Sequence, residues 1–556
     1  MSRITTRPSA APHATRACPT AAQQQAQANW LANLRALART QPSVLRTIQT
    51  WMAADIEWVY ARDGSLTARE GGRWHSGCSL PRRAALTMLA KTRQQGITGC
   101  FLAPTHAAQI EQALVRLDPQ QAMIILQPDM RIVWIALHCC DFAADILAHR
   151  LWLATGENWT HELARVLADN LGLPIPQQSL RTALLNDEQA AALMNSAQRV
   201  MSDESQRRAA MLREICARSR PAASARLCII GPSRFRLWSD EGAVLFNALG
   251  PDAQANQMTC IRFDSDDPAS SSPLALAMAG ADCSAVVAAN LTRADLAAAL
   301  PDDLPLITWA TRRPMPPFGG NHADGLLVAD RAWIDEALAA QWAADRVAVA
   351  AWPTRGSEIS PAQPPFLAII ADTIIIDTAP EFDLSTHGLL WDAIRNELLR
   401  DPLALGSDIA AYLKSRMLAL GIQEQGFDAA NFIENLILPA YQQGLARMLI
   451  SAGLPLKLHG HGWSGISDLA GNACGPIGSP AQLESACQSA AALVYTWPDR
   501  GPHPIDAFAR PVIRPAGDRG ALLDQARSAL AGKPQLPQTR ADALSLSAIS
   551  RMIGIA

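Results

Sequence analysis

Short apolar runs alternate with segments of helical periodicity along most of this chain. The runs with the length and the Val, Ile and Leu content of buried strands are 97–102, 122–126, 227–230, 259–263, 285–289, 306–309, 456–458 and 492–496. Apolar residues recur at the spacing of a helix face at 30–53, 107–117, 385–399 and 427–452. This alternation predicts parallel sheets with helices packed on their faces, the doubly wound α/β arrangement.

Breaks in the pattern divide the chain into segments. The opening segment has three arginines and no acidic residue among Ser, Thr, Ala and Gln, which is typical of an unstructured tail or of a transit peptide. A long charged helix before residue 220 is either a partner-binding helix or a solvated connector, and its mixed charges favour the connector. The predicted segments are a disordered tail at 1–28, Rossmann-like α/β units at 29–178, 225–364 and 365–556, and a helical connector at 179–224.

Composition narrows the class of protein. The 556 residues are 49% hydrophobic and 18% charged, which is enough apolar material for several cores. A formal charge of -3, with no evident cluster of Lys and Arg, argues against a nucleic-acid-binding protein. No apolar run approaches the roughly 18 residues of a membrane-spanning helix. Eleven scattered cysteines without a C-x-x-C pair or a secretory signal predict reduced thiols and a cytoplasmic protein.

The stretch at 454–515 has the order of strands, glycine turns and helix starts that phosphate binding requires. Its first strand leads into Gly460 and Gly462, which can adopt positive φ and let the backbone approach a phosphate or a sugar. A later strand ends in a polar, Pro-rich loop that faces the start of a short helix, where free N–H groups bind anions. The candidate donor contacts are Gly460, Gly462, Trp463, Arg500, His503 and Asp506.

This order resembles the C-terminal lobe of two-lobed (GT-B) glycosyltransferases of the CgeB-like, spore-maturation type. The matching residues are Gly460, Gly462 and Trp463, then Gly475-Pro476-Ile477, then His503-Pro504-Ile505-Asp506. The resemblance implies two lobes facing across a cleft, a nucleotide-sugar donor used without a metal or a permanently bound cofactor, and a protein or glycan acceptor. Many members have a glutamate at the start of the last helix, where this chain has Asp506.

The first α/β unit resembles the N-terminal Rossmann-like domain of bacterial flagellin-glycosyltransferase-type chains. Trp74-His75-Ser76 and Pro81-Arg82-Arg83-Ala84 carry this resemblance. The glycine turn after the first parallel strand is replaced by Leu102-Ala103-Pro104-Thr105-His106. A nucleotide pyrophosphate approaches such a turn through backbone that only glycine leaves open, so the unit is predicted to bind no cofactor.

The unit at 225–364 supplies the predicted acceptor contacts. The resemblance implies that Ser233 and Arg234, in the turn after the first strand, touch the acceptor; otherwise they cap the next helix. A Pro- and Gly-rich loop follows the strand at 306–309, and α/β clefts hold ligands in such loops. Within and just after it, His322 and Asp324 are the candidates for a general base.

Two functions from different classes stay open at this point. The first is a nucleotide-sugar-dependent glycosyltransferase in which Arg500 and the helix start near Asp506 neutralise the leaving diphosphate. The second is a catalytically silent GT-B relative that serves assembly or partner binding, which the turn at Pro104 and the missing glutamate favour. His459 and His461 have no carboxylate or Cys cluster beside them in sequence. We therefore predict that they form hydrogen bonds and do not ligate a metal.

Overall fold

The computed structural model describes most of the chain, in two compact units. The first unit comprises Met1–Arg213 and Asp266–Ala275, and the second comprises Glu214–Ser265 and Leu276–Ala556. The described residues are 20–51, 56–89, 96–118, 120–181, 186–217, 226–231, 241–256, 258–265, 267–296, 299–352, 363–377, 385–423, 427–497, 505, 508, 510–515, 517–532, 549 and 552. The domain boundaries predicted at 178, 224 and 364 stay predictions.

The first unit combines two sheets with helices. Its helices are α1 (Ala21–Thr40), α2 (Pro42–Gln49), α3 (Pro81–Leu89), α4 (Ala107–Val115), α5 (Met130–Cys139), α6 (Ala143–Leu147), α7 (Trp159–Asp169) and most of α8 (Asp187–Ala217). Its strands are β1 (Ile56–Tyr60), β2 (Leu66–Glu70), β3 (Arg73–Trp74), β4 (Thr98–Leu102), β5 (Ala122–Gln127), β6 (Leu151–Thr155) and β7 (Gln178–Arg181). β1, β2 and β3 form an antiparallel sheet, and a parallel sheet has the order β6-β5-β4-β7.

The parallel sheet is the core of the first unit. β4, β5 and β6 are buried along their whole length, as their apolar runs predict. One face packs with Leu37, Ile110 and Val133 from α1, α4 and α5. The other face packs with Leu163 from α7 and with Ala197 from α8.

The segment predicted as a tail is helical at its end. α1 begins at Ala21, so 21–28 is part of a helix and the predicted disorder is wrong for these residues. The side chain of Thr20 accepts a hydrogen bond from the backbone N–H of Gln23, which caps the helix, and alanine and glutamine favour helix. Residues 1–19 lie outside the described part of the chain.

Helix α8 is solvated on one side and anchored on the other. Most of its residues are exposed, as a connector predicts, but Glu204 and Arg208 are buried. The guanidinium of Arg208 donates to Glu204, at 2.8 Å, and to backbone carbonyls at the end of α7 and just beyond it. A buried ion pair with these additional hydrogen bonds ties the helix to the first unit.

A short segment from later in the chain completes the first unit. Ser272 donates its N–H to the carbonyl of Gly172 at 2.8 Å and its hydroxyl to that of Leu171 at 2.6 Å. A Cβ at Gly172 would lie 1.8 Å from the carbonyl oxygen of Ala269, so only glycine allows this approach. The sequence gives no indication of this contact, because nothing in 267–275 distinguishes it from an ordinary loop and helix.

The second unit contains two parallel sheets. Its helices are α9 (Glu241–Ala255), α10 (Pro273–Gly280, which begins in the first unit), α11 (Ile334–Ala339), α12 (Ser385–Arg400), α13 (Ile409–Ala419), α14 (Ala429–Phe432), α15 (Leu438–Ser451), α16 (Pro480–Ser489) and α17 (Arg519–Leu530). Its strands are β8 (Arg226–Gly231), β9 (Thr259–Asp264), β10 (Ala285–Ala289), β11 (Leu306–Ala310), β12 (Gly325–Val328), β13 (Val347–Val349), β14 (Leu367–Ile370), β15 (Leu456–His459), β16 (Ala473–Gly475), β17 (Ala492–Val494) and β18 (Val512–Ile513).

Strand order defines how each sheet is wound. The six-stranded sheet has the order β13-β12-β11-β10-β8-β9, and the five-stranded sheet has the order β16-β15-β14-β17-β18. In each, the first strand in sequence lies inside the sheet and later strands add on both sides of it. The predicted fold class, α/β with three parallel sheets flanked by helices, is confirmed.

The strongest helical pattern of the chain is divided, as Pro439 predicts. α14 leads into a π-helical turn at Ile433–Ile437, and α15 then begins at Leu438 with the proline in its first turn. The backbone stays helical from Phe432 through Leu438, and the π-helical turn just before Pro439 is the irregularity that accompanies a residue without a backbone N–H. Close packing follows in α15, where a Cβ at Gly444 would lie 2.1 Å from the carbonyl oxygen of Leu398 on α12.

The described residues also show whether any helix could span a membrane and whether the cysteines form disulfides. Among the described helices, none has both the length and the apolar character needed to cross a membrane. The ten cysteines in the described part of the chain are all free thiols.

Candidate functional site

The carboxyl ends of the strands in the five-stranded sheet form the edge on which the sequence places the donor. We call this the carboxyl edge of that sheet. β14 has β15 on one side and β17 on the other, so the winding reverses between β14 and β17. The segments that leave this switch point are 371–377 after β14 and 495–497 after β17. In open α/β sheets the crevice at a switch point is the usual place for a ligand.

The glycines after β15 are required by packing against the protein itself. Gly460 and Gly462 have φ of 129° and 88°, in the region that favours glycine. A Cβ at Gly460 would lie 2.1 Å from the carbonyl oxygen of Ala371, and one at Gly462 would lie 1.9 Å from that of Thr373. The close approach predicted for these glycines is therefore real, but the group that approaches is the backbone of the segment after β14.

Two backbone N–H groups of this turn are engaged within the protein. The N–H of Gly460 donates to the carbonyl of Gly475 at 3.0 Å, and the N–H of His461 donates to Oδ1 of Asp372 at 2.7 Å. In return, the N–H of Thr373 donates to the carbonyl of His461 at 3.0 Å. The turn and the segment after β14 thus form one hydrogen-bonded structure, and the donor-binding role of the two glycines stays a prediction.

Trp463 is a core residue in this structure. Its side chain is fully buried among Leu458, Ile466 and Leu469, and its Nε1–H donates to the carbonyl of Ala371 at 2.7 Å. A ring in that position has no exposed face for a sugar or a base. The predicted contact between Trp463 and the donor is therefore corrected to a structural role.

His459 is the polar side chain at the end of β15 that packing leaves unexplained. Its Nε2 is buried and has no hydrogen-bond partner within the described part of the chain. Burial, together with the positive charge of Lys457, lowers the pKa of His459, so the imidazole is neutral at pH 7. A neutral imidazole has one nitrogen that donates and one that accepts. The hydrogen-bonding role predicted for His459 stays a prediction.

Apolar side chains are exposed in the segments that follow β14 and β17. Ile374 and Ile375, after β14, are 43% and 56% exposed, and Trp497, after β17, is 38% exposed. Binding sites for small molecules are largely apolar with a few placed polar groups. The sequence does not show that the two isoleucines are exposed, because 367–376 has the composition of one continuous strand whereas β14 ends at Ile370.

The remaining donor candidates lie outside the described residues. These are Arg500, His503 and Asp506, and they stay predictions. Their neighbours Ile505 and Phe508 are described, and both are buried in one cluster with Tyr495. The acceptor candidates Ser233 and Arg234, which follow β8, also lie outside the described residues.

Asp324 has a structural role that corrects its assignment as a general base. Both its carboxylate oxygens accept from the guanidinium of Arg293, at 2.6 and 3.0 Å, and Oδ1 also accepts from the N–H of Leu306 at 2.9 Å. It precedes β12, so it lies at the amino ends of the strands, away from the carboxyl edge of its sheet. His322 is exposed and packs against Phe318, with ring centroids 5.8 Å apart.

The carboxyl edge of the six-stranded sheet carries a hydrogen-bonded pair of polar residues that the sequence patterns do not predict. Asn290, with φ of 54°, follows β10, and Thr311 follows β11. Nδ2 of Asn290 donates to Oγ1 of Thr311 at 2.7 Å, and the N–H of Thr311 donates back to Oδ1 of Asn290 at 2.9 Å. The asparagine is recognisable in sequence as the polar residue that ends a buried strand, and its pair fixes two neighbouring loops.

In the first unit, side chains form hydrogen bonds with the backbone of the turn that replaces the glycine motif. The N–H of Thr105 donates to Oε1 of Gln109 at 2.7 Å, and the carbonyl of Pro104 accepts from Nε2 of Gln127 at 2.8 Å. Nε2 of His75 lies 3.0 Å from the carbonyl of Thr105. The N–H of Thr105 is therefore already used by Gln109, and Pro104 has no N–H to offer a pyrophosphate. The absence of a cofactor in this unit stays a prediction.

Two buried histidines lie beside this turn. The rings of His75 and His106 meet edge to face with centroids 5.4 Å apart. Burial lowers the pKa of both, and the nearby His75 lowers it further for His106, to about 4. Both are therefore neutral at pH 7.

We expect acid to destabilise the first unit through His106. The folded pKa of about 4 lies below the 6.5 of the unfolded chain, so the contribution is complete above pH 6.5 and is lost as pH falls towards 4. By linkage, the free energy of unfolding should fall by about 2 kcal/mol between about pH 7.5 and about pH 5 through this group alone. Chemical denaturation of the wild type and of His106→Gln at both pH values should show a smaller loss in the variant, by about that amount.

Each protein is its own reference in that experiment. His138, whose pKa burial also lowers to about 4, and His149, whose pKa rises through its hydrogen bond to Asp267, contribute equally to both proteins. Equal losses in wild type and variant would show that His106 is not buried in the neutral form.

Comparisons with known proteins define no family for this chain. No family model matches it, and no curated protein matches it. Among solved structures, it is similar to the MAf glycosyltransferase from Magnetospirillum magneticum AMB-1, with 13% sequence identity and a TM-score of 0.26. The similarity covers 54% of this chain and 63% of the other, so the chain spans less than two thirds of that protein. A TM-score this low establishes neither a shared fold nor a shared activity.

Metal-binding side chains are dispersed in the structure. Within the described residues, no group of three or more His, Cys, Asp or Glu side chains lies together in the way a metal ion requires.

Proposed function

We propose that this chain is a glycosyltransferase-like protein that binds a nucleotide sugar at the carboxyl edge of the five-stranded sheet. The observation that carries the proposal is the strand order of that sheet, with its switch point between β14 and β17. Ligands of α/β proteins bind at such a point. Strand order alone is compatible with many small-molecule ligands. The class of ligand is therefore inferred from the side chains near the switch point.

The side chains near the switch point suit a nucleoside joined to a diphosphate. Trp497 and the exposed isoleucines after β14 supply apolar surface on which a base can pack. The neutral imidazole of His459 supplies one hydrogen-bonding group at the end of β15. Arg500 and His503 follow Trp497 closely in sequence and would bring positive charge to a diphosphate.

In the proposed reaction, a hydroxyl of the acceptor attacks the anomeric carbon of the donor sugar. The bond from that carbon to the diphosphate oxygen breaks, and the leaving diphosphate keeps the electron pair. Arg500 would stabilise the charge that develops on this oxygen. The proton of the acceptor hydroxyl passes to the leaving diphosphate or to water, since Asp324 is held in an ion pair with Arg293.

The finer parts of the proposal follow from the resemblance described above. They are membership of the CgeB-like type, an acceptor lobe formed by the six-stranded sheet with Ser233 and Arg234, a cleft between the two lobes, and a cytoplasmic location. The acceptor is a protein or a glycan.

A catalytically silent relative is the second candidate function. It is favoured by one observation: packing alone accounts for Gly460, Gly462 and Trp463, which the donor site was expected to need. Such a protein would keep its sheets for assembly or for binding a partner.

Calorimetric titration of the full-length chain with nucleoside diphosphates separates the two candidates. If the diphosphate lies at the switch point, Arg500→Ala should weaken its binding about tenfold or more, since a charge-assisted contact is worth about 1.5 to 3 kcal/mol. Arg527→Ala is the matched control, because Arg527 is exposed on α17 in the same unit and should leave binding unchanged.

Two other results are informative. Equal binding by Arg500→Ala and the wild type would remove Arg500 from the diphosphate site. Failure of the wild type to bind any nucleoside diphosphate would favour the silent relative.

A further inference from the structure

Asp372 is an exposed carboxylate at the switch point of the five-stranded sheet. It follows the end of β14 by two residues, whereas its neighbours Ala371 and Thr373 are buried. The N–H groups of these two neighbours donate to the carbonyls of His459 and His461, both at 3.0 Å. The backbone on each side of Asp372 is therefore fixed to the turn after β15, and the side chain has a defined position on the carboxyl edge.

One oxygen of this carboxylate holds the turn, and the other is available. Oδ1 of Asp372 accepts from the N–H of His461 at 2.7 Å. Within the described part of the chain, Oδ2 has no hydrogen-bond partner and no basic side chain pairs with the carboxylate. An asparagine could accept the same hydrogen bond from His461 without a charge. The turn therefore does not account for the charge, and Oδ2 can accept from hydroxyl groups of a ligand.

The negative charge of Asp372 restricts which part of a nucleotide sugar can lie beside it. A carboxylate repels a diphosphate, but it accepts strong hydrogen bonds from hydroxyl groups. The uncharged, hydroxyl-bearing parts of such a ligand are the ribose and the transferred sugar. In dinucleotide-binding α/β domains an acidic side chain binds the ribose in this way.

The side chains next to Asp372 favour the ribose over the transferred sugar. Exposed and buried residues alternate from Ala371 to Ile374, which places Asp372 and Ile374 on the same side of the segment. Ile374 and the adjacent Ile375 are the exposed apolar residues on which we propose that the base packs. The ribose is the group joined directly to the base, so it is the part of the ligand that comes within reach of Asp372.

We infer that Asp372 binds the ribose of the nucleotide, an inference that rests on the nucleotide site proposed above. Oδ2 accepts from the vicinal hydroxyls of the ribose while Oδ1 keeps its hydrogen bond to His461. The same carboxylate thus joins the turn after β15 to the ligand. It makes the site selective for ribonucleotides, because a site that hydrogen-bonds a hydroxyl of its ligand discriminates against the analogue that lacks it.

The test is calorimetric titration of the full-length chain with uridine, guanosine, adenosine and cytidine diphosphates and with their 2′-deoxy and 3′-deoxy forms. For the base that binds, the wild type should bind at least one deoxy form about tenfold more weakly than the ribonucleotide. Asp372→Asn keeps an oxygen that accepts from His461 and loses the charge. It should bind the ribonucleotide about tenfold more weakly than the wild type and lose most of the preference for it.

Asp524→Asn is the matched control. Asp524 is an exposed carboxylate on α17 in the same unit, and it also accepts one hydrogen bond, from Arg527 at 3.2 Å. This variant should keep the affinity and the preference of the wild type.

Equal affinities of the wild type for the ribonucleotide and both deoxy forms would overturn the inference and leave the proposed function intact. An unchanged preference in Asp372→Asn would also overturn it. Failure of the wild type to bind any of these diphosphates would instead contradict the proposed function, and this inference with it. The wild-type comparison can overturn the inference even if Asp372→Asn does not fold.

Discussion

Replacing Gly460 or Gly462 by alanine should destabilise the second unit by about 3 kcal/mol or more, or prevent it from folding. The added Cβ would lie 2.1 Å from the carbonyl oxygen of Ala371 in the first case and 1.9 Å from that of Thr373 in the second. Both contacts are with backbone, which cannot rotate away as a side chain can. The positive φ of each position adds strain for any residue with a Cβ.

Gly471→Ala is the matched control for this substitution. Gly471 lies in the same connection between β15 and β16, and a Cβ there would meet no atom within 4 Å. We expect its free energy of unfolding to stay within about 0.5 kcal/mol of the wild type. Denaturant unfolding of the three variants, followed by circular dichroism, measures the difference. Similar stabilities for Gly460→Ala and Gly471→Ala would show that the segment after β14 does not press on the turn.

Asp324→Asn should lower the free energy of unfolding by about 3 kcal/mol, because it leaves the charge of Arg293 buried without its counter-ion. The side chains of Arg293 and Asp324 are 12% and 4% exposed, so water compensates little of that loss. A general base replaced in the same way would lose activity and keep its stability. Thermal unfolding therefore distinguishes the structural role from the catalytic one.

Asp302→Asn provides the control for that experiment. Asp302 is an exposed carboxylate close in sequence to the Arg293 contacts, and its loss removes the same formal charge. Its melting temperature should match that of the wild type. If Asp324→Asn were as stable as Asp302→Asn, the ion pair would not hold this part of the six-stranded sheet.

The buried strands could be predicted from the sequence because each is a run of apolar residues. β10 coincides with the predicted strand at 285–289. β9 and β11 are one residue longer than their predicted runs at one end, and β8 is one residue longer at each end. β7 was missed because Gln178–Arg181 is polar and only half buried. An edge strand such as β7 does not need a continuous apolar run when one of its faces is exposed to water.

The candidate site was only partly predictable. A sequence pattern shows that a glycine allows close approach of another group, but it does not show which group in the fold approaches it. Gly460 and Gly462 were correctly singled out for close approach, but the approaching group is Thr373 or Ala371, which are distant in sequence. Asp324 was predicted as a general base because it is a polar residue near a loop. Nothing in the sequence indicates that its carboxylate forms an ion pair with Arg293. Pairings across the fold of this kind depend on tertiary structure alone.

The most direct measurement of the proposed function is hydrogen–deuterium exchange of the full-length chain with and without a bound nucleoside diphosphate. Binding at the switch point predicts slower exchange in the segments 371–377 and 495–505, which follow β14 and β17. It predicts unchanged exchange in the first unit. Slower exchange at the carboxyl edge of the six-stranded sheet, with none after β14 and β17, would contradict the donor site proposed for this protein.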